Sequence, residues 1–514
     1  MHSCWALALC AAFALSARAG TLTLEAFDPQ GGRLSGRQLL EHIAPVSRKS
    51  SITPETSAIL VTDLDDAPAG GRPWLLLRGK ETVLSWQGPS RVRLSLPWPV
   101  AEDGFSTLLL DNGGQGYPDG ARVLVSEAAA ETEYRLFKES LAERTASWEP
   151  NYKPSAKALA LQDAARSAME KAKRQEQSAK RSALFDKALT EISSAWSKML
   201  FEHGTQAAAN PKTGPALRWG LTLDESLASR VDQFDKIAKR VESSGANWVR
   251  LVFRMNAEDY TYSKPRSFTE YDAAVAALAA RKIHIMGSPL DSTMWPRSME
   301  PRLAAARTRN LVLHYRDSIR SWEVASEING NWLGGVRHPL PEDLILRSVR
   351  EAAAEVKSID PALETVATLY WWEGTAMDDV HPTFAWLRRM APEGVFRQFD
   401  VVALSVYPDE NPMGLAFDTA FRKLHQYLPD KRLMLGAFGY VEGSKLEGYW
   451  WLDPTDIDGA RKDLVILYVA AAAAAPNPLG GGFWWPTLNT MMPDARGGDS
   501  LVKIYRRTLD RLGR

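Results

Sequence analysis

Glu327 is the strongest candidate for a catalytic acid in this chain. It follows an apolar stretch with the pattern of a β-strand, Arg320-Ser321-Trp322-Glu323-Val324-Ala325-Ser326, and precedes a polar, aromatic loop that runs to Trp332. A carboxyl group where a strand gives way to such a loop is placed to donate or accept a proton on a bound ligand. The chemistry to look for is therefore general acid catalysis.

Carboxylate and aromatic side chains also follow the other predicted strands, whereas His and Cys are rare there. Pyranose rings offer apolar faces that stack on aromatic side chains and hydroxyl groups that form hydrogen bonds, so this composition favours a sugar as the ligand. The candidate ligand-binding residues at these strand ends are Asn331, Trp332, Trp372, Tyr407, Tyr440, Trp484 and Trp485. The carboxylates that could act beside Glu327 are Glu373, Glu410 and Glu442.

The elements that would position these side chains alternate between strand-like and helix-like segments after residue 210. Eight strands in the region 210–514 predict a (β/α)8 TIM barrel, a fold of about 250 residues whose catalytic groups project from the carboxyl ends of the strands. A doubly wound open sheet is the competing architecture, but no glycine-rich phosphate loop follows the first strand. The predicted strands are Leu217–Leu223, Trp248–Phe253, Ile283–Gly287, Ser321–Ser326, Thr365–Tyr370, Val401–Val406, Leu433–Gly436 and Gly481–Trp485. The predicted helices include Ser226–Ser244, Glu270–Ala280, Pro341–Ile359, Phe417–Leu428 and Gly459–Ala475.

Residues 20–135 predict an all-β, sandwich-like domain, because short alternating or apolar runs are broken there by Gly and Pro. Its aromatic residues Trp74, Trp86, Trp98 and Tyr117 could form a sugar-binding face, as in accessory carbohydrate-binding modules. Buried aromatic side chains are common in such domains, so we favour the interpretation that they belong to the core.

Residues 136–209 predict a helical connector rich in Ala, Lys, Glu and Gln. Its apolar residues recur at three- and four-residue spacing, which indicates a long amphipathic helix or a helical pair packed on a neighbour. A coiled coil is less favoured because clean heptads are not sustained. The apolar residues are Phe185, Leu189, Ile192, Trp196 and Met199, and a linker is predicted at residues 210–215.

Residues 1–19 have the pattern of a secretory signal peptide, since a short apolar run precedes Ala17-Arg18-Ala19, with alanines where a signal peptidase needs small residues. A lipoprotein signal at Cys10 is less favoured because Leu9 precedes it. The predicted location is the periplasm or the extracellular space. Cys4 and Cys10 are the two cysteines of the chain, so the mature protein would contain no disulfide.

Lys plus Arg and Asp plus Glu are balanced at 62 each, so no overall charge favours nucleic acid or an anionic membrane. The Ala-rich run Leu464–Ala475 is shorter than the ~20 residues that cross a bilayer, and it predicts a buried helix instead. The predicted partner is an oligo- or polysaccharide, with no nucleic acid and no membrane span.

No cofactor or metal is predicted, because the sequence has no His-Glu-x-x-His pattern, paired Cys or clustered His. It also has no Gly-x-Ser-x-Gly motif for acyl transfer. The run Asp63-Leu64-Asp65-Asp66 is too incomplete for a calcium loop and predicts an acidic surface turn. Glu323 is predicted to pair in the core with Arg250 or Arg254.

Three segments resemble the retaining glycoside hydrolases of clan A, the cellulase-like or family 5-like proteins, across about residues 217–505. Trp322–Glu327 resembles the fourth-strand motif that carries the acid/base, and its continuation to Trp332 is similar to a loop of family 26 mannanases. Gly436-Ala437-Phe438-Gly439 resembles the seventh-strand Gly-Glu-Phe-Gly that carries the nucleophile. Gly481–Trp485 resembles the eighth strand, whose Trp lines the sugar site.

The resemblance implies a secreted protein that binds a β-linked glycan and cleaves it by double displacement, with Glu327 as the acid/base and a second carboxyl group ~5 Å away. Ala437 occupies the position of the nucleophile. Ser326 stands where such enzymes have the asparagine that contacts the sugar 2-hydroxyl. Arg250 in the second strand and Tyr407 in the sixth fit the same family.

Three hypotheses are left open by Ala437. The protein is either a pseudo-glycosidase that binds a glycan or serves as a scaffold without cleaving it, or a hydrolase that uses a relocated carboxylate from Glu442, Glu373 or Glu410. A carboxyl separation of ~6.5 to ~9.5 Å would imply an inverting reaction in the second case. A different activity, or a misaligned seventh strand, is the third.

Overall fold

The computed structural model describes residues 19–43, 59–78, 81–100, 104–224, 233–255, 268–373, 378–408, 410–439, 457–485 and 501–513. The predicted signal peptide lies outside these residues apart from Ala19, and so do Tyr440 and Glu442. Among the described helices, none has the length and apolar character to cross a membrane.

Two small β-sheets form the amino-terminal part of the protein. One has the order β2-β1-β5-β4, with β9 parallel to β1, and the other has the order β3-β6-β7, with β8 paired to β6. Trp86, Trp98 and Tyr117 are buried, which confirms the core interpretation for these three, whereas the Trp74 side chain lies outside what the structure describes. The elements are β1 (Ala19–Phe27), β2 (Arg33–Leu34), α1 (Arg37–Ile43), β3 (Leu60–Thr62), β4 (Gly70–Arg78), β5 (Glu81–Gln87), β6 (Arg91–Val100), β7 (Gly104–Leu110), β8 (Tyr117–Pro118) and β9 (Ala121–Leu124).

Three helices form the connector: α2 (Val125–Ala146), α3 (Ala156–Lys173) and α4 (Ser178–Ala209). All five apolar residues of the predicted amphipathic pattern are buried in α4, which confirms that pattern. The first half of helix α2 was not predicted, because the helical connector was expected to begin at residue 136, inside this helix. The chain turns helical directly after β9 because the next residues are rich in Ala and Glu, which favour the helix.

The carboxyl-terminal part is a closed barrel of eight parallel strands, β10 to β17, in which β17 pairs with β10. Each of the eight predicted strands is confirmed, with ends that differ by at most three residues. The strands are β10 (Arg218–Leu223), β11 (Trp248–Val252), β12 (His284–Ser288), β13 (Ser321–Ala325), β14 (Glu364–Tyr370), β15 (Val401–Val406), β16 (Arg432–Phe438) and β17 (Pro478–Trp484).

Helices surround the barrel: α5 (Phe234–Ser243), α6 (Asp272–Ala279), α7 (Pro301–Tyr315), α8 (Glu342–Ile359), α9 (Thr383–Met390), α10 (Ala416–Tyr427), α11 (Ile457–Ala473) and α12 (Leu501–Arg511). The Ala-rich run predicted as a buried helix overlaps α11, and its described side chains are mostly buried. Helix α7 escaped prediction because its buried face includes Arg307, which donates to the backbone oxygens of Pro289 and Phe253.

A small apolar cluster fills the barrel interior. Buried side chains from five strands meet there, and a Cβ on Gly220 of β10 would lie 2.3 Å from the Phe483 ring. A packed interior of this kind leaves the carboxyl ends of the strands as the place for a ligand. The cluster consists of Met286, Val366, Val401, Ala403, Met434, Leu479 and Phe483.

Candidate active site

A cavity of about 270 Å³ opens at the carboxyl ends of the barrel strands. It brings together six of the predicted site residues, namely Glu327, Arg250, Trp332, Tyr407, Glu410 and Trp485, and Ala437 lines it as well. The remaining lining residues are Asp224, Asp291, Ser292, Thr293 and Tyr370.

Glu327 lies two residues beyond the end of β13, and its backbone has a φ of +51°. This left-handed conformation is uncommon for a residue with a side chain and persists only where the surroundings hold it. Here the Gly330 amide donates to the Glu327 carbonyl oxygen at 2.8 Å, and the Ile328 amide donates to the Thr368 carbonyl oxygen at 3.3 Å on the neighbouring strand. The carboxyl group is buried, and Ser292 Oγ donates to its Oε2 at 2.6 Å.

Burial raises the pKa of Glu327 to about 7. The Ser292 hydrogen bond and the Arg250 charge lower this pKa, while the Asp291 charge raises it, and burial outweighs them all. A carboxyl group that titrates near neutral pH retains a proton it can donate, as general acid catalysis requires.

Arg250, which lines the cavity, binds two buried carboxylates. Its Nε donates to Glu323 Oε2 at 2.7 Å, and its Nη2 donates to Asp291 Oδ2 at 2.7 Å. The predicted pairing of Glu323 with a nearby arginine is confirmed, and the residue is Arg250. The Arg250 charge and the Thr293 hydrogen bonds outweigh burial and keep the pKa of Asp291 below its usual value.

Asp224 is held by a second arginine. Arg254 Nε and Nη2 donate to the two Asp224 oxygens at 2.6 and 2.7 Å. Trp485 Nε1 adds a hydrogen bond to Asp224 Oδ2 at 3.1 Å, which joins the predicted tryptophan to the cavity wall.

Aromatic rings form one side of the cavity. The Tyr370 ring lies edge-on to Trp332 with centroids 4.9 Å apart and stacks on Tyr407 at 6.0 Å, and Tyr407 meets Trp485 edge-on at 6.0 Å. Trp372 is buried behind this wall, where it contacts Trp332 and Tyr370. Such a wall presents the apolar faces on which sugar rings stack.

Glu410 is the exposed carboxylate of the cavity. Its Oε2 accepts a hydrogen bond from the Tyr370 hydroxyl at 2.6 Å. Asn411 Nδ2 donates to the same hydroxyl at 2.9 Å and so fixes the direction in which Tyr370 donates. Glu410, Tyr370 and Tyr407 thus form a connected polar edge to the aromatic wall.

Glu373 does not lie in this cavity. It is buried at a separate cavity of about 200 Å³ between the amino-terminal sheets and the barrel helices, where its Oε1 accepts from the Phe384 amide at 2.8 Å. Burial raises its pKa to about 8. Glu373 points away from the cleft because β14 has ended three residues earlier and the chain is already turning towards α9.

Three predicted ligand-binding residues occupy other positions. Trp484 is fully buried, and its ring centroid lies 5.2 Å from that of Phe438. It points outward from the barrel, because side chains alternate along β17 and the preceding Phe483 points into the barrel interior. Ser326 is buried with its Oγ 3.4 Å from Arg250 Nη2. Asn331 Nδ2 lies 3.5 Å from Asp378 Oδ2.

Asp224 and Asp291 are carboxylates that follow the predicted first and third strands, but they were not among the predicted site residues. Tyr370 was missed, although it ends a barrel strand and that position is the signal by which it could have been found. Their types alone carry no such signal, because Asp and Tyr are frequent in surface loops as well.

Within the described residues, no group of three or more His, Cys, Asp or Glu is close enough to hold a metal ion. In the acidic run, Asp63 Oδ1 accepts from the amides of Asp65 and Ala67 at 2.8 Å each, which is the geometry of a turn. Asp66 departs from the expected surface position, since it is buried and pairs with Lys423 of α10.

No family model and no curated protein sequence matches this chain. Solved structures similar to it include an exo-β-1,4-mannosidase from Opitutaceae bacterium strain TAV5. The match is 15% identical in sequence, covers 58% of this chain and 60% of the mannosidase chain, and has a TM-score of 0.41. An endo-1,4-β-mannanase from Rhizomucor miehei is 12% identical over 58% of this chain and 95% of the mannanase chain, also with a TM-score of 0.41. A family 5 glycoside hydrolase from Bacteroides vulgatus ATCC 8482 is 12% identical over 55% of this chain, at 0.39.

This chain spans 62% of the length of that family 5 protein, and 64% of the length of another glycoside hydrolase with a TM-score of 0.39. Such identities and TM-scores assign no activity. The chain is a (β/α)8-barrel protein that is similar to glycoside hydrolases.

Proposed function

We propose that the barrel cleft binds a β-linked glycan and hydrolyses one of its O-glycosidic bonds, with Glu327 as the general acid and Glu410 as the second carboxylate. The observation that carries this proposal is that both carboxyl groups line one cavity, together with Tyr370 and Tyr407. Burial raises the pKa values of Tyr370 and Tyr407 well above the usual value of a tyrosine, and the charges of Glu327 and Glu410 raise these pKa values further. Each tyrosine is therefore close enough to both carboxyl groups to interact with their charges.

Glu410 fits the second role better than the other carboxylates of the cavity. Asp224 and Asp291 are buried and bonded to Arg254 and Arg250, which occupy the oxygens that a reaction would need. Glu410 is exposed and held through one oxygen by a neutral tyrosine hydroxyl. A carboxylate with solvent access can take a proton from an attacking water.

The reaction that follows is an inverting hydrolysis. Glu327 gives its proton to the glycosidic oxygen as the bond from that oxygen to the anomeric carbon breaks. Glu410 accepts a proton from the water that attacks the opposite face of the same carbon, and the product has the inverted anomeric configuration. Ala437 carries no group that could form a covalent glycosyl intermediate.

The position of Ala437 favours one other function. The seventh-strand side chain that lines the cavity is a methyl group, so a cleft that binds a glycan without cleaving it is the alternative. In that case Glu327 would serve as a hydrogen-bond donor to a sugar hydroxyl.

A panel of β-linked oligosaccharides, assayed for binding by calorimetry and for product release, tests the proposal. We expect turnover by the native protein, and a loss of about 10²- to 10⁴-fold in kcat for Glu327→Gln, the range typical of a general acid. Glu410→Gln should cause a comparable loss, because it removes the base. Both variants should still bind the glycan, since an amide keeps the shape of the carboxyl group.

Glu351→Gln, on an exposed position of α8, is the matched control and should retain full turnover. Proton NMR of the first product formed should show the inverted anomer. Binding without turnover in the native protein, with turnover appearing in Ala437→Glu, would favour the noncatalytic alternative. Full turnover in Glu410→Gln would contradict the role of that carboxylate.

We likewise propose that the protein is exported, with residues 1–19 as the signal peptide. Export would bring the cleft to extracellular polysaccharide, a substrate that matches the aromatic wall.

A further inference from the structure

The loop after β15 is bonded to the amino-terminal sheets. This loop carries Glu410 and runs to the start of α10. Strand β7 is the end strand of its sheet, and its Thr107 amide donates to the Met413 carbonyl oxygen at 3.2 Å. An end strand has backbone groups available for such a bond, and here the barrel loop takes one of them.

Two side chains of β7 add to this contact. Thr107 Oγ1 donates to the Pro412 carbonyl oxygen at 2.5 Å, and Ser106 Oγ accepts from the Leu415 amide at 3.2 Å. Both Ser106 and Thr107 are fully buried. Trp371 Nε1 also donates to the Pro412 oxygen, at 3.1 Å, so the barrel and the sheet hold the same carbonyl group.

The loop after β15 approaches strand β7 closely at Gly414. Its φ is +49°, and a Cβ built there would lie 2.1 Å from Ser106 Oγ. A residue with a side chain at this position would both strain the backbone and displace the strand. The packing of this loop against β7 therefore requires glycine at position 414.

From this loop a chain of hydrogen bonds runs to the cleft. Asn411, next to Pro412, is buried and donates to the Tyr370 hydroxyl, which donates to Glu410 Oε2. The amides of Glu410 and Asn411 both donate to the Tyr407 carbonyl oxygen, at 3.0 and 2.9 Å. The path of the backbone at Pro412 thus sets the position of the groups around Glu410.

We propose that Thr107 and Ser106 of the amino-terminal sheets are positioning residues for Glu410, acting through the loop 410–415. The amino-terminal part is then a fixed support of the cleft, and the reaction needs it even though none of its residues lines the described cavity. This inference rests on the proposed role of Glu410 in hydrolysis.

Thr107→Val and Thr107→Ser test the proposal in the full-length protein. Valine keeps the shape of threonine and removes the hydroxyl, while serine keeps the hydroxyl. We expect faster amide hydrogen exchange across residues 410–415 in Thr107→Val and a kcat lowered about 10- to 100-fold, since small displacements of catalytic groups cost this much. KM should change less than twofold. In Thr107→Ser, which keeps the hydroxyl, both the exchange at residues 410–415 and kcat should match those of the native protein.

Thr82→Val is the matched control, because Thr82 is a buried residue of β5 whose Oγ1 accepts from the Gly36 amide within the amino-terminal sheets. It should lower stability without changing exchange at 410–415 or kcat. Ser106→Ala is a second variant in case Thr107→Val does not fold, and it should loosen the same loop.

Unchanged exchange at 410–415 in both Thr107→Val and Ser106→Ala would overturn the proposal while leaving the proposed hydrolysis intact. If Thr107→Val and Ser106→Ala exchange faster only at residues 410–415, the positioning of Glu410 is supported. If the native protein also hydrolyses no glycan, the hydrolase function is contradicted while the positioning still holds. The two ideas therefore fail separately.

Discussion

At the scale of single residues, Glu327 differs from every other carboxyl group of the cavity. It is buried without an arginine bonded to it, its nearest described donor is the neutral Ser292 hydroxyl, and its backbone has a positive φ. Asp224 and Asp291 have arginine partners and serve as fixed negative charges. The environments of Glu327 and Asp291 move their pKa values in opposite directions, which is the arrangement that separates an acid from a permanent anion.

The raised pKa of Glu327 predicts the pH dependence of the proposed hydrolysis. The folded-state value of about 7 lies above the usual 4.5, so the protonated acid is present below pH 7 and is lost above it. We expect kcat/KM to fall as the pH rises through about 7. Ser292→Ala removes a hydrogen bond that favours the charged form, and it should move this fall to higher pH.

The check is a pH–rate profile of the native protein, Ser292→Ala and the surface control Ser358→Ala, together with an infrared titration of the Glu327 carboxyl group. A fall that stays at the same pH in Ser292→Ala, or one that moves lower, would contradict the assignment of this limb to Glu327.

At the scale of elements, the helical connector is joined to the barrel by buried polar contacts. Arg144 of α2 pairs with Asp418 of α10, and both side chains are about 1% exposed. Arg144 Nη1 also donates to the Ala474 carbonyl oxygen at 2.7 Å, just beyond α11. Helix α4 approaches α11 closely at Gly204, where a Cβ would lie 2.2 Å from the Ala470 oxygen. These contacts leave little freedom for α2 or α4 to move against the barrel.

Arg144→Met should destabilise the protein by about 3 to 5 kcal/mol, because it leaves Asp418 buried and without its cation. Urea unfolding measures this loss. Arg144→Met combined with Asp418→Leu should lose less than the sum of the two single variants, since no buried charge is left alone. Arg309→Met, which breaks the exposed pair with Glu355, is the control and should cost only about 0 to 1 kcal/mol. A loss as small in Arg144→Met would contradict this account.

At the scale of the whole molecule, the amino-terminal sheets, the connector and the barrel share one buried apolar cluster. Polar contacts cross between the parts as well, through Thr107 to Pro412 and through Asp66 to Lys423 and Tyr427. The cavity with Glu327 is lined by barrel residues alone, so any effect of the other two parts on it has to pass through contacts of this kind. This arrangement differs from a carbohydrate-binding module attached by a mobile linker.

Export predicts two properties of the mature protein. Removal of residues 1–19 takes away both cysteines, so a reducing agent should leave the melting temperature unchanged. Mass spectrometry of the protein from the exported fraction should give a chain that begins at Gly20. A secreted chain that retains residues 1–19 would contradict the proposed cut.

The sequence by itself determined the eight barrel strands, the amphipathic face of α4 and the place of Glu327 after β13. These features depend on local periodicity, because side chains alternate along a strand and recur every three to four residues along a helix. The resemblance to glycoside hydrolases likewise rests on short continuous segments. Helices α2 and α7 have only a weak signal of this kind, and in α7 the buried face is interrupted by Arg307.

Only the tertiary structure separated Glu373 from Glu410 as neighbours of Glu327. Glu373 lies three residues beyond β14 and Glu410 four residues beyond β15, so their sequence positions are nearly equivalent. Yet Glu373 faces the amino-terminal sheets, and Glu410 lines the cleft. The physical reason is that the alternation of side chains ends with the strand, and the path of the loop beyond it is set by partners distant in sequence, as Thr107 is from Pro412.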